Sequence, residues 1–231
     1  NIEATPETVR ESALKDNKDP FQVASYVDGT KTMFELCCVA NATGYKPMKP
    51  GMFGPKADLS NVTETFALEE DGGITKFPGA VDYVAGSEMS GGVFITVRVP
   101  DQRICEDLHY LKVGTGPYFT FFRPYHLWFL EAPISIARAV LDRFVTLDSQ
   151  EVPVADIMTV AKKDMSPGEV IDEFGGYCCR GVILDRQLAR EKNALPMGLS
   201  AGATLVKDIK KGETITWDHV SLDESSTVVK L

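Results

Sequence analysis

Seven residues in two short stretches carry groups from which a site for a small anion can be built. The first stretch is Tyr26-Val27-Asp28-Gly29-Thr30-Lys31-Thr32. A polar turn that opens a helix presents unpartnered backbone N–H groups at the positive end of the helix dipole. Such an end binds carboxylate or phosphate. Thr30 and Thr32 add hydroxyl donors as substrate-binding residues. Lys31 adds charge and, when partly desolvated, can protonate or polarise a carbonyl oxygen; Asp28 is grouped with it in a catalytic role. The glycine frame of a Walker loop is absent. A capped surface helix with a solvated lysine is the competing reading of the same residues.

The second stretch is Phe121-Phe122-Arg123-Pro124-Tyr125-His126-Leu127-Trp128. Arg123 offers a planar two-pronged donor for phosphate or carboxylate, and Tyr125 a phenolic donor. His126 can donate to an anion or shuttle a proton, so it is taken as catalytic while Arg123 and Tyr125 bind substrate. Pro124 stiffens the turn and lowers the ordering cost of binding. Glu131, one helical turn on, is expected to orient His126. The competing reading pairs Arg123 with a local acid and leaves Tyr125 and His126 satisfied in a core.

Little else in the chain has the spacing of a site. No His/Asp/Glu set has metal-ligand spacing. Neither a Gly-x-Ser-x-Gly elbow nor a Gly-x-Gly-x-x-Gly fingerprint occurs. His109 and His219 stand alone and are expected to be structural. Cys37, Cys38, Cys105, Cys178 and Cys179 form a poor disulfide framework, being odd in number with two adjacent pairs, and are expected to be buried, reduced thiols. The glycosylation-type triplets at Asn41 and Asn61 are read as chance.

The elements that must position these groups follow from local signals. Thr5-Pro6-Glu7 reads as a helix start, with the helix running to about Asn17. Phe21 to Tyr26 fits a short helix or an extended segment. Apolar residues at helical spacing predict a helix over Lys31 to Asn41, ended by Gly44. Lys46 to Pro55 is too rich in Pro and Gly for a regular element. Strands are predicted at Ala80 to Val84 and Gly92 to Val99. His109 to Val113 and Tyr118 to Phe122 read as a hairpin around Gly114 to Pro117. Leu127 to Phe144 is predicted helical, with an apolar stripe of Leu130, Ile134, Ala137, Val140 and Leu141. The texture then changes to short strands and turns, which puts a domain boundary at about Gln150. Two similar signals, Val160 to Val170 and Leu205 to Ile215, lie in the second part, and Ser225 to Leu231 is expected to fray. The fold class is therefore α+β: residues 1–150 form a mixed sheet-and-helix domain and residues 151–231 a small β domain.

Apolar residues make up 44% and charged residues 25% of the 231, ordinary values for a globular chain. A net charge of −9 with no basic cluster argues against nucleic acid. The most apolar segment, Tyr118 to Val140, is broken by Arg123, His126, Glu131 and Arg138, so no membrane partner is expected. A cytoplasmic location fits the reduced cysteines and the lack of a signal-type start. The chain opens without an initiator Met, which suggests an excised piece of a longer protein.

The runs Ala-Ser-Tyr-Val-Asp-Gly-Thr-Lys-Thr-Met-Phe-Glu, Val-Ala-Asn-Ala-Thr-Gly and Arg-Pro-Tyr-His-Leu together resemble the homoserine-dehydrogenase-like NAD(P)-dependent oxidoreductases that carry a C-terminal SAF domain, and within them the deoxyxylulose-phosphate reductoisomerase-like branch. The two lysine- and glycine-bearing signals between Val154 and Asp223 are similar to the SAF (antifreeze-like, β-clip) pattern. The resemblance implies a catalytic and dimerisation domain followed by a β-clip. It implies NAD(P), bound mainly by a Rossmann domain that these residues do not contain, and leaves a divalent metal open. It puts Lys31 and its neighbours at the nicotinamide and the reacting carbonyl, and Arg123, Tyr125 and His126 on the phosphate or carboxylate. The expected function is the substrate-binding and catalytic portion of an oxidoreductase of a small phosphorylated or acidic polyol, inactive without its cofactor domain. The partner is a small anionic metabolite, and the protein is expected to be a homo-oligomer through the helix after Leu127. The alternative is a SAF-type carbohydrate-binding or structural module without catalysis of its own.

Overall fold

The structure, a computed structural model, describes residues 1–86, 88–149 and 152–230. Its first helices begin where side chains take up free N–H groups. Thr5 and Thr8 exchange side-chain-to-backbone hydrogen bonds ahead of α1 (Pro6–Lys15), with Pro6 in the first turn. Asp19 accepts from the N–H groups of Phe21 at 2.7 Å and Gln22 at 3.2 Å to start α2 (Pro20–Val27), so the segment left open between helix and extended chain is helical. After Asp28 and Gly29 comes α3 (Thr30–Thr43), ended by Gly44 in the left-handed conformation, φ 76°.

Further along lie β1 (Val93–Arg98), α4 (Gln102–Tyr110), β2 (Tyr118–Arg123) and α5 (Trp128–Ala137). One π-helical turn, Arg138–Asp142, prolongs α5 and stops at Arg143, φ 55°. Then follow β3 (Ala155–Ala161), β4 (Cys179–Asp185), α6 (Arg186–Glu191), β5 (Thr204–Leu205) and β6 (Val220–Ser221). The mixture of helices and two-stranded antiparallel sheets is α+β, as the sequence implies.

Packing divides the chain into two compact units: Asn1–Met52 with Ser149–Leu231, and Phe53–Asp148. The boundary expected at Gln150 falls outside the described residues. The first unit is thus assembled from both ends of the chain. Its centre is the β3–β4 ladder, in register from Ala155 opposite Asp185 to Ala161 opposite Cys179. Both strands are buried almost without alternation, because α3 packs on them and the chain beyond β4 folds back to bridge Met158 to Pro196 and Val160 to Thr214. The core here contains Met158, Val160, Val182, Leu184, Ala189 and Ala194. A second cluster, Ala4, Val9 and Ala24, joins α1 to α2.

The two similar sequence signals meet each other. Met165 and Ile209 exchange backbone hydrogen bonds of 2.9 and 3.0 Å. Each signal closes a turn at a left-handed glycine, Gly168 at φ 91° and Gly212 at φ 86°. In each the following glutamate accepts from the N–H three residues back, Glu169 from Ser166 and Glu213 from Lys210, both at 2.8 Å. The tail expected to fray carries a helical turn, Thr227–Lys230.

In the second unit β1 pairs with β2, Val93 opposite Arg123 through Arg98 opposite Tyr118. This corrects the expected hairpin: residues 109 and 110 end α4, and β2 finds its partner before that helix instead. The reason is local. Pro100 stops β1, and Asp101 caps α4 by accepting from Ile104 N–H at 3.1 Å. The strand expected over Ala80 to Val84 shrinks to Ala80–Val81. One face of the ribbon packs its Phe94 and Phe122 with Phe66 and Val84 against a core of Ala57, Val62 and Met89. The opposite face leaves Val93, Ile95 and Phe121 exposed. The expected α5 stripe is exposed too, with Leu130 at 56% and Leu141 at 78%. Among the described residues no helix is long and apolar enough to cross a membrane.

Candidate functional site

The turn between α2 and α3 needs Gly29. Its φ of 87° lies in the left-handed region, and it lets the chain reverse so that Met33 N–H donates to the Gly29 carbonyl at 3.0 Å. Asp28 folds its carboxylate over the turn: Oδ1 accepts from Thr30 N–H at 2.8 Å. The second oxygen, Oδ2, lies 2.5 Å from Lys162 Nζ, and among the described residues it takes no further hydrogen bond. Both side chains are sealed from solvent, at 0% exposure for Asp28 and 3% for Lys162. The remaining ammonium protons go to the carbonyls of Ala4 at 2.7 Å and Gly176 at 3.0 Å.

Thr30 is also buried, and its Oγ1 accepts from Gly181 N–H at 3.0 Å. A side chain at Gly181 would lie 2.9 Å from Ile157 Cγ2 and 3.3 Å from Thr30 Cγ2, so only glycine lets β4 approach the turn this closely. Lys31 points outward. It pairs with Glu35 one turn along α3, and its ammonium lies 5.2 Å from the Tyr26 ring centre. Thr32 is half-buried, and the N–H groups of Lys31 and Thr32 have no acceptor among the described residues. The turn therefore divides in two: Asp28 and Thr30 are committed inward, whereas the Lys31 side chain reaches solvent and Thr32 is half-buried. Direct contact with substrate is available to the second set, not to Asp28 or Thr30.

The second group lies at the end of β2 in the other unit. Arg123 pairs with Glu131 on α5, so Glu131 serves the guanidinium rather than His126. His126 is held from elsewhere, by Gly91: its Nδ1 is 3.1 Å from the Gly91 carbonyl. A carbonyl can only accept, so Nδ1 is the donor in this contact. Tyr125 is 58% exposed, and Arg123 and His126 are exposed as well. The structure thus brings Asp28, Thr30, Lys31 and Thr32 together in one turn, and Arg123, Tyr125 and His126 at another.

Two concavities are lined by other residues. One, of about 300 Å³, has Glu3, Lys162, Arg180 and Lys211 in its wall. There Lys211 pairs with Glu3 at 2.5 Å and holds that carboxyl below the usual range. The other, of about 410 Å³, runs from Thr63 to the Gly114–Tyr118 loop. In it Tyr118 donates to Asp71 at 2.5 Å, and Arg98 lies 3.6 Å from the same carboxylate. Burial, with the bond to Asp71, raises the phenol above its ordinary value.

His109 and His219 make local contacts, to Gly114 O at 3.1 Å and Thr216 Oγ1 at 2.7 Å, as expected of structural residues. All five cysteines are free. Cys37, Cys178 and Cys179 are buried, but Cys38 is exposed and Cys105 intermediate. Among the described residues no group of three or more His, Cys, Asp or Glu could hold a metal ion. Sequence reasoning missed Lys162 and Gly181; the signal available was a lysine directly after a strand rich in apolar residues.

The family described as Oxidoreductase DRL, catalytic domain, matches residues 1–132. That span contains all seven residues singled out from the sequence. No curated protein matches the chain.

Proposed function

The chain belongs to the Oxidoreductase DRL catalytic-domain family, and from that premise we propose that it is the substrate-binding and catalytic portion of an NAD(P)-dependent oxidoreductase of a small phosphorylated or acidic sugar derivative. The observation that carries the reading is the family match across both polar stretches, Tyr26 to Thr32 and Arg123 to His126. In this reading the dinucleotide is held mainly by residues outside the chain, and the β segment after Val154 is a SAF-type module.

The nicotinamide cofactor supplies or accepts the hydride. The residues of this chain do the rest. The Lys31 ammonium and the free N–H groups of Lys31 and Thr32 meet the oxygen of the reacting carbonyl as it gains negative charge. Lys31 turns from Glu35 to do so, at small cost, because an exposed helical ion pair contributes only about 0.3–0.5 kcal/mol. The second stretch is an anion-binding group within its own unit: Arg123 exchanges Glu131 for a phosphate or carboxylate, Tyr125 donates a hydrogen bond, and the His126 ring contributes a further polar group.

The test is an assay of the full-length protein for oxidation of NADPH or NADH in the presence of deoxyxylulose phosphate, the phosphorylated ketose of the resembled branch, and of its dephosphorylated form. Turnover of the phosphorylated compound with at least about tenfold preference supports the reading, as one charge-assisted contact provides at least that much. Equal turnover of both, or binding without any cofactor oxidation, contradicts it.

A further inference from the structure

The strand pair β3–β4 lies more than a hundred positions away in sequence from the Asp28–Thr32 turn, yet it holds that turn at two independent points. The first is the Lys162 ammonium on the Asp28 carboxylate, 2.5 Å, with both side chains sealed from water. The second is the Gly181 N–H on Thr30 Oγ1, 3.0 Å. The far end of α3 is tied to the same strand pair: Asn41 Oδ1 accepts from the N–H groups of Val154 and Ala155, both at 2.9 Å, and its Nδ2 donates to Ala155 O at 3.2 Å. A surface helix needs none of this. Burying an ion pair is costly unless its groups are well paired; here the Lys162 ammonium lies 2.5 Å from Asp28 Oδ2 and donates to the carbonyls of Ala4 and Gly176.

We propose that Lys162, acting through Asp28, is a positioning residue for the oxidoreductase reaction: the C-terminal strand pair clamps the first turn of α3 and thereby aims Lys31. The proposal rests on the functional reading above. It makes the β segment a structural part of the active turn, and it explains why Asp28 is inward while Lys31, three positions further along, is outward. Lys162 touches no substrate. Its effect passes along one chain of contacts, from Nζ to the Asp28 carboxylate, then to the Thr30 N–H, and so to the direction in which the first helical turn presents Lys31.

Lys162→Met alone strands a buried carboxylate and can fail to fold. The informative variant is Asp28→Asn with Lys162→Met, which removes both charges and keeps an oxygen to accept from Thr30 N–H. In the full-length protein, assayed with deoxyxylulose phosphate and NADPH, the double variant is expected to stay folded. Its kcat should fall about 10²-fold with KM changed less than about threefold, the pattern of a misplaced catalytic group rather than lost binding. Amide hydrogen exchange at residues 30–34 should quicken while that of β3 is unchanged. Thr30→Val tests the second anchor in the same way, and Thr30→Ser, which keeps the acceptor oxygen, should restore kcat. If the double variant does not fold, this Thr30 pair decides the matter alone. Wild-type kcat and exchange in the folded double variant, or equal kcat in Thr30→Val and Thr30→Ser, would overturn the clamp. If Lys31→Met itself leaves kcat unchanged, the functional reading fails, and with it the purpose of the clamp; a crippled Lys31→Met beside a normal double variant sinks the clamp alone.

Discussion

Lys31 and Arg123 have a similar situation in the free protein: each pairs with a glutamate at the surface, Lys31 with Glu35 one turn along α3 and Arg123 with Glu131 on α5. Neither pair holds the fold, since exposed pairs are worth at most about 1 kcal/mol. Arg123→Ala should therefore melt at nearly the wild-type temperature while raising KM for the phosphorylated substrate roughly 10- to 100-fold, from loss of a charge-assisted hydrogen bond. An unchanged KM would remove Arg123 from the site. The cysteines give a second residue-level test. Burial pushes the Cys37 and Cys179 thiols up to about 12. Both remain protonated at neutral pH and should resist iodoacetamide in the native protein, whereas the exposed Cys38 should react. Rapid native labelling of Cys179 would contradict the packing of β4. At this scale the sequence was informative about type but not direction. Asp28, Thr30, Lys31 and Thr32 are adjacent, and nothing in the local pattern says that the first two turn inward. That depends on Lys162 and Gly181, which only tertiary contact brings near.

Among the elements, α1 and α3 were legible because their signals are local: Thr5 with Pro6, and Gly44, each act within a few residues, whereas α2 was left open although Asp19 caps it in the same local way. The hairpin expected around Gly114 was misread because a glycine-rich turn between two apolar runs is compatible with more than one partner, and the Asp101 cap had already made the first run helical. Lys162→Met alone should lower stability by about 3–5 kcal/mol, the usual cost of leaving a buried charge unpaired, measured by chemical denaturation. Gly175→Ala should also be severe. Gly175 has φ 76°, and an added Cβ would stand 2.0 Å from the Phe21 carbonyl oxygen. A loss of about 2–4 kcal/mol follows from backbone strain and overpacking combined; a loss under about 0.5 kcal/mol would show that the Gly175 turn does not lie against α2.

For the molecule as a whole, the change of texture near residue 150 was visible in the sequence, but the return of Asn1–Met52 to the C-terminal strands was not. Hydrophobic patterns report which face is buried and not against which segment. A chain cut after Asp148 should consequently lose protection from hydrogen exchange throughout α3, and retained protection there would contradict the shared unit. Acid should act on the same unit. Asp164 is held below the usual carboxylate range by the Lys211 N–H and then the Lys210 ammonium, and Glu169 by the Lys163 ammonium and then the Ser166 N–H. Their folded values lie below their unfolded ones, so the stability they contribute is complete above about pH 4–5 and disappears as the pH falls through the folded values. The melting temperature should decline over that interval, and less steeply in Asp164→Asn. The most direct measurement of the central claim is the pre-steady-state rate of NADPH oxidation by full-length wild type and Lys31→Met, each saturated with deoxyxylulose phosphate. A fall of about 10²-fold or more in the variant, with folding intact, is the predicted result for a group that stabilises charge on the reacting oxygen. Equal rates would show that this turn takes no part in the chemistry.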